Sequence, residues 1–68
     1  MQTRRKVYAR IWDRLGIAEG KLSEALTILG GLPDLDTREL MLQRALQHAI
    51  TALSEASQDI IGLQKSDG

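Results

Sequence analysis

The residues of this chain that are capable of chemistry are few and scattered. His48 is the single histidine and there are no cysteines, so neither a thiolate metal site nor a histidine cluster can be assembled; a lone imidazole on a polar stretch reads as a solvated side chain. Glu19, Glu24, Glu55 and Asp59 fall at outward or flanking positions of their helices. Glu55 and Asp59 form an i, i+4 pair of like charge, which reads as a hydrated acidic edge. No nucleophile stands at a workable spacing from a base. Gly30-Gly31 lacks the following Lys and Ser/Thr of a phosphate loop. The expectation is a protein that is not an enzyme and uses no cofactor, metal or small-molecule substrate.

Charge placement is more informative. Within residues 1–14, Arg4, Arg5, Lys6, Arg10 and Arg14 stand against Asp13 alone, a net of +4, and the remaining residues carry −4, which makes the whole neutral. Lys6, Arg10 and Arg14 recur every four residues and so form one stripe on a helix, with Tyr8 and Trp12 close by. Three readings of this stripe stand: a solvated face, a surface for an acidic protein, and a grip on nucleic acid in which arginines hold phosphates and an aromatic ring stacks a base. The neutral total weighs against a dedicated nucleic-acid binder. The basic end also opposes the helix dipole, so it does not serve helix stability. In an antiparallel hairpin Asp59 and Asp67 lie near it. Trp12 beside arginine has the composition of an interface hot spot, and it equally suits a ring that closes the end of a small core.

Local signals place these residues on two helices. Ala, Leu, Gln, Glu and Arg dominate, Phe is absent and there is a single Pro, a helix-forming composition. With heptad position a at Tyr8, Leu15, Leu22 and Leu29, position d falls on Ile11, Ala18 and Ala25, so the seam is apolar over three heptads. Gly30 and Gly31 follow, suited to a left-handed residue that closes the helix. Pro33 blocks continuation. Asp36 with Glu39 has capping-box spacing, and Leu35 with Leu40 has that of a hydrophobic staple. In the second helix Leu46, Leu53 and Ile60 occupy a, and Leu42, Ala49, Ala56 and Leu63 occupy d, with Glu39 alone breaking the seam. The expected architecture is all-α: a helix over about 3–29, a turn over 30–35, a helix over about 36–64 and a short flexible tail over 65–68, together one domain.

A chain of 68 residues hides too little surface for a generous core. The apolar stripe is also wider than a and d, since Trp12, Leu26 and Ile50 at e and Val7, Ile28, Ala45 and Ala52 at g extend it past what one partner helix covers. Two hairpins are therefore expected to pair as a four-helix bundle homodimer, with Leu15, Leu22, Leu26, Leu29, Leu46, Ile50, Leu53 and Ile60 in the dimer core. Gly16 and Gly20, at b and f, read as surface glycines that weaken the helix.

The capped helices, short turn and alternating leucine and alanine layers resemble the Rop family of plasmid copy-number proteins, homodimeric hairpin bundles that bind paired RNA loops. The resemblance is one of architecture and implies a homodimer; it assigns no RNA contact to a residue of this chain. Leu22-Ser23-Glu24-Ala25-Leu26-Thr27-Ile28-Leu29 with Gln43-Arg44 is similar to the helical-hairpin co-chaperones of type III secretion needle subunits. The expected function is a protein-interaction module, a regulator, adaptor or chaperone-like protein, whose partner site comprises Tyr8, Trp12, Arg10, Arg14 and Lys6. The alternative is a small RNA- or DNA-binding regulator that uses the basic stripe. With no membrane span and no signal-peptide pattern, the expected location is the cytoplasm.

Overall fold

The computed structural model describes residues 4–67. Helix α1 spans Arg4–Gly30 and helix α2 spans Thr37–Asp67, and the two pack against each other as an antiparallel hairpin. The expected start at residue 3 and the last tail residue, 68, lie outside the described residues. At its other end α2 runs three residues past the expected stop, so residues 65–67 continue the helix in place of a tail. Lys65 in that last turn faces the negative end of the helix dipole, which favours the extension.

The turn combines an expected start with an unexpected stop. At the start of α2 the Asp36 N–H donates to Glu39 Oε1 at 2.9 Å and the Glu39 N–H donates to Asp36 Oδ1 at 2.8 Å. The Leu40 N–H closes the first helical bond onto the Asp36 carbonyl at 2.9 Å. This is the reciprocal capping box, and it satisfies two donors that the helix leaves unpaired. At the end of α1, however, no described glycine has a positive φ. The left-handed closure expected at Gly30-Gly31 is replaced by a tightened turn, in which Gly31 N–H donates to the Ile28 carbonyl at 3.1 Å and Leu32 N–H to that of Leu29 at 3.2 Å. Both bonds span three residues, so the last carbonyls find partners without reversal of the backbone. Gly31 is still favoured there, because a Cβ would stand 3.3 Å from the Ile28 carbonyl oxygen.

The helices are staggered. Ser57 Oγ bonds Glu19 Oε1 at 3.3 Å across the seam, and stepping from that pair sets Leu15 beside Ile61 and Leu26 beside Ile50. In this register α1 begins beyond the end of α2, and α2 begins beyond the end of α1. The molecular extents agree: the long axis measures 52 Å, whereas α2 alone, with 31 residues, is about 46 Å long at ~1.5 Å per residue. The first turns of α2 therefore stand clear of α1, which leaves Leu40, Met41 and Leu42 exposed.

The core is thin. Only Leu29 and Ile60 fall as low as 9% exposed, and no large side chain is completely buried among the described residues. The half-buried residues on α1 are Tyr8, Leu15, Ala18, Glu19, Leu22 and Leu26. Their partners on α2 include Gln43, Leu46, Ala49, Ile50, Leu53, Ala56 and Ser57. The seam thus runs along position a with both flanks taking part, Ala18, Ala49 and Ala56 at d and Glu19, Leu26, Gln43, Ile50 and Ser57 at e.

Candidate functional site

One face of the hairpin is left unpartnered. Positions d and g of both helices lie on the same side of an antiparallel pair. That side carries exposed Val7, Ile11, Ala25 and Ile28 from α1 and exposed Leu42, Ala45, Ala52 and Leu63 from α2. Ile28 stands out at 76% exposed. These residues belong to the wide stripe seen in the heptad pattern, and in the hairpin they form a surface in their own right. Of the residues expected in a dimer core, Leu29 and Ile60 are already buried within one hairpin, and Leu15, Leu22, Leu26, Leu46, Ile50 and Leu53 are half-buried there.

Near the open end this face holds a groove of about 500 Å³ lined by Val7, Arg10, Ile11, Arg14, Leu15 and Ala18. The spacing is that of one helix stripe, so α1 alone builds its floor. Its apolar bed lies beside two guanidinium groups, a surface suited to an apolar side chain that arrives with acidic neighbours.

The expected partner-binding residues are divided by the fold. Arg10 and Arg14 line the groove and are exposed. Tyr8 is half-buried. Trp12 is 49% exposed and, at position e, is turned about 100° around the helix from Ile11, so it borders the seam on the side away from the groove. Lys6 is exposed on the stretch of α1 that overhangs α2. The basic residues and Trp12 therefore share one end of the molecule but not one face.

Glu19, read as outward or flanking, is half-buried at the flank of the seam and accepts the Ser57 hydroxyl proton. Both residues sit at e, and e positions flank one another in an antiparallel pair. Glu24, Glu55, Asp59 and His48 are exposed. Among the described residues no cluster of histidine, cysteine or carboxylate groups could hold a metal ion. No helix among them is long and apolar enough to cross a membrane.

The face and groove define the chain as a two-helix hairpin with an open apolar side. The chain matches no known protein family, no curated protein and no solved structure.

Proposed function

We propose that this hairpin is a non-enzymatic interaction module that pairs with a second copy of itself as a four-helix bundle and binds a further protein at the end bearing Trp12. The observation that carries this reading is the surplus of open surface. The chain exposes 5515 Å², about 1,300 Å² more than the ~4,200 Å² expected of a compact monomer of its mass. That surplus exceeds the ~800 Å² per partner of a standard interface. The radius of gyration, 15.7 Å, is likewise far above the ~11 Å of a globular chain of this length.

A second copy covers the d and g face, which is apolar and self-complementary in composition. Trp12 borders the opposite side and stays available for an acidic protein surface at the end that also bears Lys6 and Tyr8, while Arg10 and Arg14 line the groove on the covered face. A folded monomer in sedimentation equilibrium at tens of micromolar defeats the pairing. Capture of the same partner by wild type and by Trp12→Ala defeats the choice of Trp12.

The overhanging basic end supports a second reading, in which Arg4, Arg5, Lys6, Arg10 and Arg14 hold nucleic-acid phosphates. Anisotropy of a labelled RNA hairpin across a salt series separates the two. Tight, steeply salt-dependent binding that is lost in Arg10→Glu/Arg14→Glu supports nucleic acid; flat titrations exclude it.

A further inference from the structure

The pairing proposed above leaves open how the two hairpins are oriented, and the charge and stagger of the chain select one orientation. We infer that a second copy docks on the d and g face with its turn at the opposite end, so that Ile28 of each copy enters the Val7–Ala18 groove of the other. This inference rests on the homodimer reading.

Charge supplies the first argument. The open end of the hairpin carries Arg4, Arg5, Lys6, Arg10 and Arg14 on α1 against Asp13, with Asp59, Lys65 and Asp67 on the adjoining end of α2. The turn end carries Asp34, Asp36 and Glu39 against Arg38 and Arg44. Each hairpin is therefore positive at one end and negative at the other. Packing two copies with turns together sets the basic ends side by side, and reversing one copy sets each basic end against an acidic turn.

Length supplies the second. Along the 52 Å axis, at ~1.5 Å per residue, Ile28 lies about 16 Å from the turn end, and the groove spans about 5–21 Å from the open end. Reversal of one copy across a two-fold axis lays α1 on the partner's α1 and brings Ile28, the most exposed large apolar side chain of that helix, over the groove on the same face. The stagger fits as well. The overhanging start of α1 occupies the step left where the partner's α1 stops short of its turn, near Asp34 and Asp36. Arg10 then faces the partner's acidic loop from the rim of the groove, and Trp12 remains on the outside.

The chain has no native cysteine, so a single Thr37→Cys, exposed at the turn, carries a spin label without competition. With the turns opposed, labels in a dimer lie about 50 Å apart, the length of the molecule. With turns together they lie within about 25 Å, little more than two helix diameters. Sedimentation of the same sample and of Ile28→Glu completes the test. A long distance, together with a dissociation constant raised at least about tenfold by Ile28→Glu, supports the arrangement; because Ile28 touches little of its own chain, that variant keeps its helicity. A dimer with a short distance, or one that is indifferent to Ile28→Glu, overturns the arrangement and leaves the homodimer standing. A wild-type monomer at tens of micromolar overturns the homodimer itself.

Discussion

Ser57 Oγ donates a hydrogen bond of 3.3 Å to the Glu19 carboxylate from 38 positions further along the chain. The pair joins the two helices at their e positions, on one flank of the seam. The hydroxyl gives the half-buried carboxylate a protein donor there. Ser57→Ala should cost about 0.5–1 kcal/mol, since the site is only partly screened from water. Urea unfolding followed by circular dichroism at fixed protein concentration reads the change, and a stability equal to wild type contradicts the role given to this bond.

The capping box makes a separable prediction. Asp36→Ala should destabilise the fold by about 1 kcal/mol, and Glu39→Ala by a smaller amount. Because each residue satisfies the other's backbone donor, the double variant should lose less than the sum of the single losses. Additive losses in the same unfolding assay would show that the two bonds act independently.

Gly16 and Gly20 are exposed on α1, and a Cβ at either position meets nothing within 4 Å. Alanine at each should therefore stabilise the helix by about 1 kcal/mol. Thermal melts decide this directly. Partner capture by the stabilised variants addresses a second question: if Gly16→Ala or Gly20→Ala abolishes capture, the bare backbone is itself a contact.

Arg4 and Arg5 stand in the first turn of α1, which has no acidic residue. Their charge opposes the helix dipole, so Arg4→Glu/Arg5→Glu should raise the stability of the isolated helix by about 0.3–1 kcal/mol per site at low salt. In the opposed-turn dimer the same change puts acid against acid and weakens association. A peptide of residues 1–30 that gains helicity, together with full-length protein that dissociates more readily, gives the expected contrast. Tighter association in the double variant would remove these arginines from the interface.

Trp12 is half exposed and borders the seam without filling it, so Trp12→Ala should lower stability modestly, by about 1 kcal/mol. Its effect on partner capture should be much larger. A loss of several kcal/mol in the melt without loss of capture would identify Trp12 as a core residue.

Both helices, the turn between them and the cap on the second are legible in the sequence because their causes are local. Leucine recurs with the helical period, Pro33 cannot continue a helix, and Asp36 reaches Glu39 within one turn. The closure of α1 was less legible, since Gly30 and Gly31 permit a left-handed residue without requiring one and a three-residue bond satisfied the carbonyls as well. Which flank of position a turns inward was decided only by packing. Apolar residues flank position a on both sides, and in the folded hairpin Leu26 is half-buried where Ala25 is exposed, while Ala49 and Ile50 are both half-buried. That packing holds Glu19 at the seam and leaves Ile28 and the Val7–Ala18 groove open. The stagger of the helices, which sets the basic end beyond the body of the hairpin, likewise depends on the path of a six-residue connection through space and has no counterpart in any local pattern.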